Sequence, residues 1–147
     1  MISRRQLAGL AAAFVACPSA FRAAQAAAPA TLYKSPDCGC CEGYAQYLRD
    51  QGFAVTEIAS HDLPLMRREH GVPDPLVGCH MTFIDKYLIE GHVPVAPIKK
   101  LLAERPPIKG ISLPGMPEGS PGMTGVKTAP FVIYVIAPGA PKIFARV

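Results

Sequence analysis

The stretch ATLYKSPDCGCC, at residues 30–41, runs from an apolar segment into three cysteines within four positions. Residues 30–35 predict a short buried strand that ends before Pro36. Asp37 stands where it can cap a helix that begins at the cysteines. One face of that helix is formed by residues spaced i, i+3, i+4 and i+7, namely Cys41, Tyr44, Ala45 and Leu48. The stretch therefore predicts a strand, a cysteine-bearing turn and a helix.

Strands and helices alternate through the rest of the chain. Beyond the first strand, the expected strands are residues 53–58, 81–84, 87–90, 108–113, 131–136 and 142–145. A short helix begins near Asp62 and another begins at Pro97. These elements predict an α/β fold in the order βαβαββα, followed by a Gly/Pro/Met loop at residues 114–125 and a C-terminal β-hairpin. We expect residues 27–147 to form a single domain.

Residues 1–26 have the features of an export signal. Arg4-Arg5 gives a positive start, residues 7–21 are apolar, and Ala24-Gln25-Ala26 is a small-x-small cleavage site. The arginine pair also resembles a twin-arginine signal. The apolar run is shorter than the roughly 20 residues that a membrane span needs. We therefore expect residues 1–26 to be cleaved and the protein to be exported to the periplasm, with no stable membrane insertion afterwards.

The charge of the processed chain is close to neutral. The full chain has 15 Lys+Arg against 11 Asp+Glu, and loss of Arg4, Arg5 and Arg22 leaves 12 against 11. A net charge of +1 does not favour nucleic acid or an anionic membrane surface as a partner.

Cleavage would also remove Cys17 and leave four cysteines, which are Cys38, Cys40, Cys41 and Cys79. Cys38 and Cys41 have ordinary Cys-x-x-Cys spacing, whereas bridges between closer cysteines are strained. Cys40 would then bond to Cys79 or stay free. Because export favours disulfides, structural or redox disulfides are an alternative to a metal site.

Crowded thiolates also suit a soft metal. Thiolate and thioether ligands select Cu(I), while four cysteines can enclose a tetrahedral Zn²⁺. Cys-x-Cys-Cys is poor spacing for one ion, because neighbouring residues cannot all point inward. Bridging several Cu(I) ions uses crowded sulfurs better, so copper is favoured over zinc.

The order βαβαββα, with cysteines between the first strand and helix, resembles the thioredoxin fold over about residues 30–105. The resemblance implies that Cys38, Cys40 and Cys41 lie at a helix N-terminus, where the helix dipole stabilises thiolates. It also implies that Cys79 and His80 face them, with His80 in the place of the cis-proline of redox families.

Four motifs together resemble the CopG-like periplasmic copper-resistance proteins. They are Cys38-Gly39-Cys40-Cys41, Gly78-Cys79-His80, Glu90-Gly91-His92-Val93-Pro94, and a Pro-Gly-Met repeat at residues 114–123. The resemblance implies a thioredoxin-like domain that binds copper, in a form that allows a multinuclear cluster bridged by cysteine sulfurs. It carries over Cys38, Cys40, Cys41 and Cys79 as the sulfur ligands. The turn Asp85-Lys86 departs from the expected Asp-Gly.

Two histidines and two methionines extend the candidate site. His80 adjoins Cys79, and imidazole suits copper in either oxidation state. His92 is a candidate ligand or orienting residue, and a structural histidine is the alternative. Met116 and Met123 lie in the Gly/Pro/Met loop, either as irregular core filling or as a lid or delivery arm for Cu(I).

These observations predict a periplasmic copper-binding protein that sequesters or redox-handles Cu(I), with copper ions and other periplasmic copper proteins as partners. One alternative is a thiol-disulfide oxidoreductase that uses Cys38 and Cys41. A second alternative is a zinc-stabilised structural module. The residues favour a metal-binding protein over an enzyme.

Overall fold

A seven-stranded mixed sheet with three α-helices makes up the part of the chain that the structure, a computed structural model, describes: residues 27–147. The predicted export signal at residues 1–26 lies outside the described residues. The strands are β1 Ala28–Lys34, β2 Phe53–Ala59, β3 Met81–Ile84, β4 Tyr87–Glu90, β5 Gly110–Ser112, β6 Val132–Val135 and β7 Lys142–Arg146. The helices are α1 Gly39–Asp50, α2 Leu63–Glu69 and α3 Val95–Glu104, and a short 3-10 turn spans Asp74–Leu76.

The strands lie in the order β2-β1-β3-β4-β5-β6-β7. β1 is parallel to β2 and antiparallel to β3, which is antiparallel to β4. The remaining pairs are parallel for β4 with β5 and antiparallel for β5 with β6 and β6 with β7. Up to α3 the elements follow the predicted order βαβαββα, and the predicted C-terminal hairpin is β6 with β7.

Both faces of the sheet are covered. In β4, Tyr87 and Ile89 belong to one buried cluster with α1 and α3, whereas Leu88 belongs to a second cluster with Leu63 of α2. Successive strand side chains point to opposite faces, so this alternation places helices on both sides. The continuous burial of β4 explains why its sequence is almost wholly apolar.

Helix α1 buries the predicted face, since Cys41, Tyr44, Ala45 and Leu48 are all 0% exposed. The prediction that Asp37 caps this helix is wrong. The N-cap residue is Cys38, and no side chain caps the helix within the described residues. The Cys38 N–H instead donates to the Ser35 carbonyl at 3.1 Å, and this tight turn makes Cys38, rather than Asp37, the residue that precedes the helix.

Strand β5 is shorter than the predicted residues 108–113 because it pairs with β4 only from Gly110 to Ser112. Gly110 lies so close to β4 that a Cβ there would overlap the Leu88 carbonyl. At the β3–β4 turn, Asp85 takes the positive φ of 53°, so Lys86 does not have to adopt the left-handed conformation. An aspartate tolerates that conformation better than most residues, which explains how the turn forms without glycine.

The Gly/Pro/Met loop returns across the first turn of α1. Gly122 has φ +80°, and a Cβ there would lie 2.5 Å from the Tyr44 backbone nitrogen and 2.8 Å from the Cys40 carbonyl oxygen. Gly43 faces it, since a Cβ at Gly43 would lie 3.1 Å from the Gly122 oxygen. Two glycines thus let the loop backbone touch the helix beside the cysteines. Within residues 27–147, no helix has the length and apolar character to cross a bilayer.

Candidate metal centre

Four cysteine sulfurs from two distant stretches of the chain meet at one point. The Cys79 Sγ lies 3.0 Å from the Sγ of Cys38, 3.4 Å from that of Cys40 and 3.3 Å from that of Cys41. The Cys38 and Cys40 sulfurs are 3.5 Å apart. All four therefore form one group whose ligand atoms lie within 4.8 Å of one another.

The sheet pairing explains this meeting. β1 and β3 are antiparallel neighbours with Tyr33 opposite Met81, so the residues before β3 lie beside the end of β1. The cysteine turn begins just after β1, and Cys79 lies just before β3. A salt bridge connects the end of β1 to the first turn of α1, because the buried Lys34 Nζ lies 3.0 Å from Glu42 Oε1.

Cys38 and Cys41 are joined by a disulfide, while Cys40 and Cys79 are free thiols. This resolves the pairing that the sequence left open. The disulfide withdraws two of the four sulfurs from metal binding, because a bonded sulfur is not a thiolate. Full use of the sulfur group therefore needs two electrons to reduce Cys38–Cys41.

Two buried histidines stand beside the sulfurs. Cys79, His80 and His92 form a second group with ligand atoms within 4.8 Å, and the two imidazole centroids are 4.8 Å apart. The Gly91 N–H donates to the His80 carbonyl at 2.9 Å, which holds the two segments together. Both histidines are 0% exposed.

Their ring nitrogens are poorly satisfied. Within the described residues, neither nitrogen of His80 nor Nε2 of His92 has a hydrogen-bond partner. His92 Nδ1–H donates to the Pro121 carbonyl at 2.7 Å, which leaves the Nε2 lone pair of the neutral ring available. Buried nitrogens without partners are rare, and a metal ion is one explanation for them.

Burial lowers the pKa of His80 well below its ordinary value, and the neighbouring His92 lowers it further. Burial also lowers the pKa of His92, against the hydrogen bond to Pro121. Both rings are therefore held neutral, which is the form that binds metals. Burial, followed by the hydrogen bond between the Cys79 thiol and the Cys40 sulfur, raises the pKa of Cys79 to about 12, so a bound metal would have to displace its proton.

The two candidate methionines differ in exposure. Met116 is 55% exposed, whereas Met123 is partly buried. Met123 directly follows Gly122, the residue that rests on the Cys40 carbonyl. The loop therefore places the backbone next to Met123 on the first turn of α1 and leaves Met116 facing solvent.

Sequence reasoning assigned no role to Arg67 or to the side chain of Glu90, and it treated Tyr44 only as packing. Tyr44 also donates to the Val93 carbonyl at 2.8 Å, and its ring lies 4.4 Å from that of His80. Arg67 and Glu90 form a salt bridge at 2.9 Å beneath Gly78. An acidic residue within an otherwise apolar buried strand was the signal available for Glu90.

A family model and two solved structures are similar to this chain. A family model described as "Protein of unknown function, DUF411" matches residues 76–123, which include Cys79, both histidines and both methionines. Two solved structures, described as "Copper resistance protein copG", Form 2 and Form 1, are each 33% identical to the chain, with TM-scores of 0.75 and 0.74. Each match covers 82% of this chain and 98% of the solved chain. No curated protein matches the chain.

Proposed function

The chain belongs to the CopG-like copper-resistance family, and from that premise we propose that it binds Cu(I) through thiolates of Cys38, Cys40, Cys41 and Cys79. The observation that carries the proposal is the position of the Cys79 sulfur, 3.0–3.4 Å from three sulfurs that lie about 40 residues earlier in the chain. Convergence of this kind gives a donor set of four soft sulfurs. Thiolate donors select Cu(I) among the metals of an exported compartment.

The spacing of the sulfurs suits several ions better than one. Around a single tetrahedral ion with bonds of about 2.3 Å, the sulfurs would lie about 3.8 Å apart. Cys38, Cys40 and Cys41 come from one turn of chain, so their sulfurs cannot all spread to such positions around one centre. Bridging thiolates satisfy more than one Cu(I) from the same crowded turn, which supports a multinuclear cluster.

The sulfur group also supports redox handling of copper. Two thiolates, those of Cys38 and Cys41, can each give one electron to a Cu(II) ion, which yields two Cu(I) ions and the Cys38–Cys41 disulfide. That disulfide is the state in the structure, and Cys40 and Cys79 remain reduced beside it. The two free thiols are then available to hold the Cu(I) that forms.

Four further residues complete the proposed site. His80 and His92 offer neutral imidazole nitrogens next to Cys79. Met123 and Met116 offer thioethers at the inner and outer parts of a loop that rests on α1, which is suited to passing Cu(I) to or from another periplasmic copper protein. The burial of the histidines and the difference in methionine exposure support this division.

A thioredoxin-like arrangement is part of the proposal. The strand order β2-β1-β3-β4, with β1 parallel to β2 and antiparallel to β3, supports it, as does the placement of the cysteines at the start of α1. We further propose that residues 27–147 act as one domain in the periplasm after removal of residues 1–26. Participation of all seven strands in one sheet supports the single domain.

A Cu(I) titration of the fully reduced protein tests the function. We expect ultraviolet absorbance from thiolate-to-copper charge transfer to rise until more than one copper is bound per chain. A variant with serine at the four cysteine positions is the matched control and should show no such absorbance. Binding of less than one copper per chain, with four reduced thiols, would end the proposal. Retention of Zn²⁺ against Cu(I) in a competition experiment would support a zinc-stabilised module instead.

The Cys38–Cys41 disulfide favours a second candidate, a thiol-disulfide oxidoreductase. Helix N-termini lower the pKa of cysteine thiols and so suit disulfide exchange. Insulin reduction separates the two candidates. Activity that survives Cys40→Ser and Cys79→Ser but is lost in Cys41→Ser would identify the oxidoreductase, whereas copper binding that needs all four cysteines identifies the copper site.

A further inference from the structure

A buried ion pair lies next to the Cys79 segment and supplies no sulfur or imidazole. Arg67 Nε of α2 donates to Glu90 Oε1, at the end of β4, at 2.9 Å. The Glu90 side chain is 0% exposed and that of Arg67 is 13% exposed. Burial of two charges is costly unless each finds several partners, so the other contacts of this pair are informative.

Those contacts converge on Gly78, the residue before Cys79. The Gly78 N–H donates to Glu90 Oε1 at 2.8 Å, and Arg67 Nη2 donates to the Gly78 carbonyl at 3.1 Å. The carboxylate and the guanidinium thus hold both polar groups of one residue while they bind each other. This closed triangle fixes the position and the orientation of the Gly78 backbone.

The next residues are fixed from the other side. A Cβ at Gly78 would lie 2.5 Å from the Gly91 Cα, so the two backbones are in direct contact. The Gly91 N–H donates to the His80 carbonyl at 2.9 Å. Cys79 therefore lies between two anchored residues, with little freedom to move its sulfur.

We propose that Arg67 and Glu90 are positioning residues for metal binding, which hold Gly78 so that the Cys79 sulfur stays within 3.0–3.4 Å of the other three. The inference rests on the proposed copper function, which needs those sulfurs together. Partners that orient metal ligands typically change metal affinity by about 10–100-fold when they are removed.

A purely stabilising pair would behave differently. Apolar residues of similar volume often replace a buried ion pair without loss of stability. A double variant, Arg67→Met with Glu90→Leu, should therefore keep the fold but leave the Gly78 N–H and carbonyl without these partners. The variant separates the contribution of the pair to folding from its contribution to the position of Cys79.

The first measurement does not use copper. In a background of Cys40→Ser and Cys41→Ser, only Cys38 and Cys79 remain within the described residues, and their disulfide under mild oxidant reports the distance between the two sulfurs. We expect the double variant to form this disulfide at least about tenfold more slowly. The second measurement, in the chain with all cysteines, is Cu(I) affinity against a competing chelator, and we expect a loss of about 10–100-fold.

Arg68→Met is the matched control, because Arg68 is the exposed neighbour of Arg67 on α2 and should change neither measurement. Arg67→Lys keeps the charge but replaces two separate guanidinium nitrogens with one ammonium nitrogen, so it should hold Glu90 and Gly78 less well and fall between wild type and the double variant. Circular dichroism establishes folding. If the double variant is unfolded, the Arg67→Lys variant decides by the same two measurements, and failure of both to fold would make the pair structural and overturn the proposal.

The outcomes separate the two proposals. Slower cross-linking in a folded variant, together with no copper binding by the wild type, would remove the copper function and leave only the positioning of the Cys79 sulfur. Cross-linking and copper affinity both within twofold of wild type would overturn the positioning role and leave the copper function. Slower cross-linking and weaker copper affinity in the folded variant would support the positioning role and the copper function together.

Discussion

The contact between the Gly/Pro/Met loop and α1 makes Gly122 sensitive to a single added methyl group. In Gly122→Ala the new Cβ would lie 2.5 Å from the Tyr44 nitrogen and 2.8 Å from the Cys40 oxygen, where ordinary contact begins at 3.4 Å. Both opposing atoms belong to the backbone of α1 and cannot rotate away. The loop must therefore lift by about 0.6–0.9 Å, from the difference between those distances.

That lift would break the hydrogen bond between His92 and Pro121. The Nδ1···O distance of 2.7 Å would grow to about 3.3–3.6 Å, at or beyond the limit of a useful hydrogen bond. Loss of the bond costs about 0.5–1.5 kcal/mol. The positive φ of 80° adds about 1–2 kcal/mol, because a Cβ disfavours the left-handed conformation. We expect a total loss of about 1.5–3.5 kcal/mol in the free energy of unfolding.

Gly115→Ala is the matched control. Gly115 lies in the same loop with φ +69°, but an added Cβ meets nothing within 4 Å. It should therefore lose only the backbone contribution, about 1–2 kcal/mol. Urea unfolding measures both variants, and the charge-transfer absorbance of the copper-loaded protein measures the effect on the site. Equal destabilisation by the two substitutions, with equal copper spectra, would refute the account of loop docking.

Three further predictions concern single groups. Folding lowers the pKa of His80 and His92, so the stability that their neutral forms provide should be present above pH about 6.5. Below that pH the free energy of unfolding should fall by up to about 1.4 kcal/mol per histidine for each pH unit. Urea unfolding of wild type and His80→Gln at pH 7.5 and pH 5 tests this. In the protein with the Cys38–Cys41 disulfide, the raised pKa of Cys79 should make it react with iodoacetamide much more slowly than Cys40 at pH 8. Peptide mass spectrometry measures the two labelling rates. Faster labelling of Cys79 would contradict the effect of burial. Tyr44→Phe removes a buried hydroxyl and should cost about 1 kcal/mol in urea unfolding, because a backbone carbonyl loses its donor, and an unchanged midpoint would argue against that hydrogen bond.

Local patterns in the sequence were sufficient to predict the strands and helices around the site. The helix face from Cys41 to Leu48 follows from spacing alone, because the same residues are buried whatever packs against them. The N-cap residue did not follow, since the choice of Cys38 over Asp37 depends on a turn to Ser35 that propensities do not specify. Likewise, the short β5 depends on its pairing with β4, which runs only from Gly110 to Ser112.

The meeting of Cys79 with the cysteine turn was expected from resemblance, and its physical cause is the pairing of β1 with β3. The contacts of Arg67, Glu90 and Gly78 could not be predicted, because they join three separate elements through side-chain hydrogen bonds. Whether Cys40 bonds to Cys79 or stays free was left open for the same kind of reason, and both are free thiols. Sequence spacing permits a bond but does not select one among sulfurs that all lie within reach.

The separation of 41 residues between Cys38 and Cys79 means that the proposed metal binding would affect the stability of the whole chain. An ion bound by both sulfurs would link the two residues as a cross-link does. In the chain-entropy model, a cross-link that closes a loop of that length stabilises the folded state by about 4 kcal/mol, because it lowers the entropy of the unfolded chain. Metal binding would therefore stabilise the folded chain, so that metal-free molecules would unfold and be digested by proteases sooner than metal-bound ones. Turnover of the polypeptide would in that way follow the metal supply of its surroundings without any dedicated sensor.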